Sequence, residues 1–154
     1  MIIRDRADDD IPWMCALLLQ RWNGTTMDVH GEAIDVMAVP ALVAGEREGL
    51  ATYRVTDGDA ELISLDAVAP GQGVGTRLLD ELIRQLRQQG VRRLRVTTSN
   101  DNLAALAFYQ KRGFRLQRVR VGAIDETRRL KPGIPLIGEN GIPIRDEIDL
   151  FREL

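Results

Sequence analysis

The sequence predicts an α/β fold with a mixed antiparallel and parallel central sheet flanked by helices, on three observations. Strand-like segments at Ala41 to Ala44, Gly49 to Val55 and Ala60 to Val68 follow one another, with Thr56-Asp57-Gly58-Asp59 as the turn between the last two, as in an antiparallel meander. The third segment runs into a glycine loop, an amphipathic helix and a further strand. That order is a crossover, and a crossover returning to the same sheet sets strands parallel. The length, 154 residues, suits one domain over 1–154 that buries roughly two thirds of its unfolded surface.

Each element has its own signal. Ile2 and Ile3 open a short strand. Asp8-Asp9-Asp10 ahead of Pro12 makes a helix start, with an acidic first turn and an early proline. Ile11, Met14, Cys15, Leu18 and Trp22 recur at helical spacing, and Asn23-Gly24 ends that helix. Residues 25 to 37 read as a polar, irregular or weakly helical passage. Val74, Leu78, Leu79, Leu82, Ile83 and Leu86 form one apolar stripe, closed by Gly90 as a C-terminal cap. Arg93 to Thr97 alternates as a strand, Asn102 to Arg112 is helical until Gly113, and Phe114 to Val121 is a strand with interleaved basic residues. From Asp125 to Pro143, three prolines and three glycines (Pro132, Gly133, Pro135, Gly138, Gly141, Pro143) predict a long ordered loop or lid. Asp146 to Leu154 closes as a strand with Ile148 and Leu150 on one face.

Composition narrows the setting. At 44% hydrophobic and 29% charged residues the chain is of globular type. Cys15 has no partner for an internal disulfide, and no apolar run approaches the roughly 20 residues of a membrane span. A charge directly follows Met-Ile-Ile, unlike a signal peptide, so a reducing, cytoplasmic setting without membrane contact is expected. The net charge of −2 conceals a split. Residues 1–76 hold 5 basic against 13 acidic side chains, and residues 77–131 hold 14 against 5. That suits a polyanionic cofactor on one side and a cationic substrate on the other, unless folding mixes the two segments. Nucleic acid is disfavoured as a partner, because the net charge is negative and the arginine-rich strands lack interleaved aromatics.

The chemistry is concentrated in two stretches. In Asp66-Ala67-Val68-Ala69-Pro70-Gly71-Gln72-Gly73-Val74-Gly75-Thr76, three glycines in five positions let a backbone approach a ligand closely. The helix start that follows offers unpaired N–H groups at the positive end of its dipole, and Arg77 adds charge. A pyrophosphate fits such a site. The spacing is not that of a dinucleotide fold, and no strand–helix–strand unit precedes it. The second stretch runs from Asn102 through Ala105 and Tyr109 to Gly113-Phe114.

Together these stretches resemble the Gcn5-related N-acetyltransferases, most strongly over residues 60 to 121. Gly73 and Gly75 fall on the two glycine positions of that family's Q/R-x-x-G-x-G/A loop, while Pro70 stands at the first position and lacks an N–H. The family's Asn-x-x-Ala-x-x-x-Tyr-x-x-x-Gly-Phe signature is matched by Asn102, Ala105, Tyr109, Gly113 and Phe114. The resemblance implies an acyl-CoA N-acyltransferase (GNAT) fold using acetyl-CoA as co-substrate and no metal. Ala67, Val68, Gly71, Gln72, Gly73, Val74, Gly75, Thr76, Asn102, Ala105 and Tyr109 would bind it. It further implies that Tyr109 is the proton donor to the departing thiolate, and that Glu61 corresponds in position to the family's glutamate base.

Read from the residues alone, Tyr109 is equally a buried aromatic, Asn102 a helix cap and Glu61 a solvated strand-end carboxylate. Asp66 is a rival base, and water is a relay for either carboxylate. His30, the only histidine, is a further candidate base against a plain surface reading, and the Met27-Asp28-Val29-His30 passage reads as part of the acceptor wall. Direct transfer is expected rather than an acyl-enzyme, because no histidine or cation neighbours Cys15 in the sequence. N–H groups around Ala67 and Val68 are candidate donors to the carbonyl oxygen. The acceptor would be a primary amine of a small molecule or protein, with a homodimer left open. A non-catalytic acyl-CoA sensor or partner-binding module is the alternative on the same scaffold.

Overall fold

The computed structural model describes residues 1–154. The element order is β1 (Ile3–Asp5), α1 (Ile11–Trp22), β2 (Thr26–Val29), β3 (Glu32–Asp35), β4 (Ala41–Ala44), β5 (Gly49–Thr56), β6 (Asp59–Ala67), α2 (Val74–Gln88), β7 (Arg93–Ser99), α3 (Leu103–Lys111), β8 (Arg115–Arg120), α4 (Ala123–Leu130) and β9 (Glu147–Glu153). Seven strands make one sheet in the order β1-β4-β5-β6-β7-β9-β8, and β2 with β3 forms a separate hairpin. This is the mixed α/β class read from the sequence. The chain packs as two compact units, Met1–Leu94 with Leu154, and Arg95–Glu153.

In the first unit, β1, β4, β5 and β6 are joined by antiparallel ladders. Asp57 and Gly58 both take positive φ (49° and 83°), the backbone that matches strand twist in a two-residue hairpin turn, and this sets Thr56 opposite Asp59. Met14, Leu17 and Leu18 of α1 pack with Met27, Val36, Ala41, Val43 and Leu50 in one core cluster. The expected stripe of α1 is thereby corrected at its ends: Ile11 and Trp22 are 38% and 44% exposed, and Leu17 takes the inner place. All six stripe residues of α2 are buried. The end of α2 is closed by Gly90 N–H to Arg87 O (3.1 Å) and Val91 N–H to Leu86 O (3.0 Å), with Gly90 at φ 77°.

Gly49 and Leu50 are neighbours on β5 and face opposite ways, Leu50 toward the α1 cluster and Gly49 toward α2. A Cβ at position 49 would stand 2.5 Å from Val74 Cγ1, 2.9 Å from Leu78 Cδ1 and 3.0 Å from the Asp66 carbonyl. Gly49→Ala is therefore expected to destabilise by about 1–3 kcal/mol through overpacking. Urea denaturation checks this, and an unchanged midpoint would show that α2 gives way freely.

The passage 25–37, expected to be irregular, is instead the β2–β3 hairpin. His30 (φ 52°) and Gly31 (φ 80°) form its turn, and a 3-10 turn at Val36–Ala38 follows, capped by the Asp35 carboxylate on Met37 N–H at 3.0 Å. Met27 and Val29 alternate inward with polar neighbours between them, a period too short to stand out in the sequence.

In the second unit, β8 and β9 pair antiparallel with a bulge at Gln117. Asp149 of β9 is buried and takes Arg118 Nε at 2.6 Å, Arg120 Nη2 at 3.0 Å and Thr97 Oγ1 at 2.7 Å. Burial alone would raise its pKa, but the Arg120 and Arg118 guanidiniums and the Thr97 hydroxyl overcome that and hold it at about 2. A carboxyl depressed in the folded state stabilises above its ordinary value of 3.8, and that contribution is lost as pH falls toward about 2. The urea midpoint of the wild type should thus drop more steeply between these values than that of Asp149→Asn.

The loop expected from Asp125 to Pro143 is corrected at its start, where α4 occupies Ala123–Leu130 under a left-handed Gly122 cap (φ 76°). The prolines lie beyond it, and past residue 130 the only helical piece is a 3-10 turn at Glu139–Gly141. These are held through their main chain: Asn100 Nδ2 donates to Pro143 O (2.9 Å), Asn100 Oδ1 accepts from Arg145 and Asp146 N–H (both 3.0 Å), and Asp101 Oδ2 accepts from Glu139 N–H (2.9 Å). Arg128 donates to the carbonyls of Ile134, Pro135 and Ile144. The segment is a stitched loop rather than a hinged lid.

Candidate functional site

The first unit carries the glycine loop. After β6 the chain turns through Ala69 and Pro70; Gly71 (φ 78°) and Gly73 (φ 73°) are left-handed, and no atom lies within 4 Å of where a Cβ would sit at either. Gly73 is the cap residue of α2, and the first helical bond is Arg77 N–H to Gly73 O at 3.0 Å. The N–H groups of Val74 and Gly75 precede that bond, so the helix itself does not use them. Open space over the loop and this run of donors form an anion cradle. Gln72 is exposed at its rim.

The strand leading in is fixed from α1. Arg21 Nη2 donates to Ala67 O (3.2 Å) and Val68 O (3.4 Å), and Trp22 Nε1 donates to Asp66 Oδ2 at 2.8 Å. Burial raises the pKa of Asp66, while the Trp22 hydrogen bond and Arg21 oppose the rise. Trp22, the exposed C-terminal end of the α1 stripe, thus has its partner here, a link that helical periodicity does not reveal. Val68 N–H donates to Glu48 O at 2.9 Å, which removes it as a donor to a carbonyl oxygen and corrects that expectation. Strand alternation turns the Ala67 N–H away from β5.

At the other end of β6, the ladder with β5 skips Ile63: Thr52 faces Ser64, Tyr53 faces Leu62 and Arg54 faces Glu61. The bulge keeps Glu61 on the same face as Ser64 and Asp66 despite their odd spacing. Along that face Thr52 Oγ1 and Ser64 Oγ share a buried hydrogen bond of 2.6 Å. Arg54 donates to Glu61 Oε2 (3.3 Å) and to Glu32 Oε2 (3.1 Å), and His30 Nε2 lies 3.6 Å from Glu61 Oε1. Glu61 is thus a partnered carboxylate, and His30 belongs to its surroundings. Sequence reasoning passed over Arg54, although the two-residue Asp57-Gly58 turn already implies its register opposite Glu61.

The second unit carries the other stretch. Asn102 caps α3, its Oδ1 accepting from Ala105 N–H at 3.0 Å. Tyr109 is 7% exposed, with its ring edge-on to Phe108 and Phe114, both at 5.2 Å between centroids. Gly113 adopts φ 87°, with Arg152 Nε 3.5 Å from its would-be Cβ. No group of three or more acidic, histidine or cysteine side chains is arranged to hold a metal.

Comparison with known proteins agrees with these motifs. The model of the acetyltransferase (GNAT) family matches residues 30–114. Two uncharacterised proteins of Bacillus subtilis (strain 168) are similar in sequence. YxbD is 47% identical over 106 residues, covering 69% of this chain and 67% of its own; YdhI is 45% identical over 111 residues, covering 72% and 69%. The chain's structure is similar to that of the IAA acetyltransferase from Bacillus cereus ATCC 14579, with a TM-score of 0.75 and 26% identity over 99% of each chain. A Bacillus subtilis acetyltransferase solved in complex with CoA shares the fold at TM-score 0.72 and 20% identity, covering 99% of this chain and 97% of its own. With the loop, the second signature and the family model in agreement, this chain belongs to the GNAT family of acetyltransferases and is an acyl-CoA-dependent N-acetyltransferase.

Proposed function

We propose that the enzyme transfers an acetyl group from acetyl-CoA directly to a primary amine of a small molecule or a protein. The observation that carries this reading is the anion cradle, where left-handed Gly71 and Gly73 leave open space before the first-turn N–H groups of α2. A pyrophosphate there would be held by main-chain donors and the helix dipole, with Arg77 adding charge. Gln72, Val74, Gly75 and Thr76 complete the loop, and Ala67 and Val68 would run alongside the pantetheine arm. Asn102 and Ala105 hold the start of α3, and Tyr109 would return a proton to the departing thiolate. Glu61 supplies the carboxylate on the acceptor side. Thiol release from acetyl-CoA across a panel of small amines and α-amino peptides tests this. Turnover with at least one primary amine is expected, and none across the panel would sink the acceptor class.

The acceptor is expected to be cationic, steered by the acidic hairpin. Of its carboxylates, Asp35 caps a turn and Asp28 is partly buried, which leaves Glu32, exposed on β3, as the one to reverse. Glu32→Lys should raise KM for the amine several-fold at low salt, and added salt should shrink the difference. A KM indifferent to salt in both proteins would count against steering.

A further inference from the structure

We propose that His30, not Glu61, is the group that takes the proton from the incoming amine, and that Glu61 positions it. The proposal rests on the reading above, that an ammonium-bearing acceptor meets the polar face of β6, and it divides the work among residues of the first unit. Three observations carry it. The Ile63 bulge puts Glu61 on the face it shares with Ser64 and Asp66, where the hairpin turn brings His30 Nε2 to 3.6 Å from Glu61 Oε1. The other carboxylate oxygen, Oε2, is occupied by Arg54 Nη2 at 3.3 Å, and the same guanidinium holds Glu32 Oε2 at 3.1 Å, so the carboxylate is braced from behind with Oε1 left toward the imidazole. The Glu61 side chain is 16% exposed while that of His30 is 31% exposed, which makes the imidazole the better placed of the two to meet a substrate and to shed a proton to water.

The chemistry favours the same division. An amine arrives as an ammonium and needs an acceptor whose proton affinity is matched to neutral pH; histidine ordinarily titrates near about 6.5, glutamate near about 4.3. A carboxylate behind an imidazole selects the tautomer with hydrogen on the nitrogen facing it and stabilises the imidazolium that forms. Here the hydrogen would sit on Nε2 toward Glu61, and the ammonium proton would pass to Nδ1. The free amine then attacks the thioester carbon, the N–C bond forms and the C–S bond breaks. The nitrogen gives up its second proton as the thiolate is protonated, and the imidazolium releases its proton to solvent. One proton leaves in all, and no oxidant or further reactant is required. The ion pairs join His30 to Glu61 on β6 and, through Glu61, to Arg54 on β5 and Glu32 on its own hairpin.

Because the chain has one histidine, its ring C–H signals report the pair without assignment by mutation. Proton NMR titration of wild type and Glu61→Gln is the first arm. Loss of the carboxylate should move the His30 ring C–H resonances, and superimposable signals in the two proteins would overturn the pairing. The second arm is kcat against pH, at saturating acetyl-CoA, with the best amine of the panel. His30→Asn keeps a side chain that tolerates the left-handed turn yet takes no proton at neutral pH. It should lower kcat by about 10²-fold and remove the acidic limb near neutrality. Glu61→Gln should keep that limb at a reduced kcat. If His30→Asn retains its rate and limb while Glu61→Gln loses both, Glu61 is the base and the proposal falls. An inactive wild type would instead strike the acceptor reading, with the titration still deciding whether the pair exists.

Discussion

Gly73→Glu is expected to abolish acetyl-CoA binding by calorimetry while the wild type binds with measurable heat. Two independent effects act together. Residue 73 sits at φ 73°, where a non-glycine side chain is strained by on the order of 1 kcal/mol or more. Its Cβ would enter open space above the first-turn N–H groups, so the new chain fills the volume a pyrophosphate would occupy and sets a carboxylate against it. Gly73→Ala separates the two, since it carries the backbone strain without the charge and should weaken binding less. Wild-type protein that shows no heat at high micromolar acetyl-CoA would remove the loop as the cofactor site. Equal binding by Gly73→Glu would place the phosphates elsewhere.

Tyr109→Phe is expected to lower kcat by roughly 10- to 1,000-fold, with the acetyl-CoA dissociation constant little changed. The substitution keeps the ring, whose contacts with Phe108 and Phe114 are edge-on at 5.2 Å, and removes only the hydroxyl. A packing role for the hydroxyl predicts a modest stability loss of about 1 kcal/mol and near-normal turnover. A phenol ordinarily keeps its proton to about pH 10, above the roughly 8.5 at which a thiol loses its own, so it can donate to a leaving thiolate. Measuring kcat beside the dissociation constant in both proteins separates the roles. Unchanged kcat with chemistry shown to be rate-limiting would make Tyr109 a core aromatic.

What was legible in the sequence was periodic or punctuated. The α2 stripe and its Gly90 cap, the Asp57-Gly58 turn and the Asn102 cap are each local patterns in which one residue type meets one backbone need, and all four stand in the structure. The β2–β3 hairpin was not legible, because four-residue strands joined by His30-Gly31 carry little alternation and no common turn pair. Nor were the long-range polar partners. Asp149 receives Thr97, Arg118 and Arg120 from two other strands, and Arg54 joins Glu32 to Glu61; such pairs depend on register between strands, and a bulge at Ile63 or Gln117 resets that register. Asp149 and Glu147 also neutralise part of the basic excess of residues 77–131, so the charge split along the chain overstates the field of the folded unit.

The stitched segment after α4 has a consequence for how this enzyme can diverge. Asn100, Asp101 and Arg128 grip it only by its carbonyl and N–H groups, atoms that nearly every amino acid supplies. Leu136 and Ile137 meanwhile point outward, 70% and 57% exposed. The path of the segment is thus written outside it, and its own outward side chains are free to drift under selection without disturbing the course of the chain. Descendants of this sequence should vary at Leu136 and Ile137 while holding Asn100, Asp101 and Arg128 constant, and a grafted segment of equal length should follow the same path if it keeps Gly138, where a Cβ would meet the Asp101 carboxylate and Ile144.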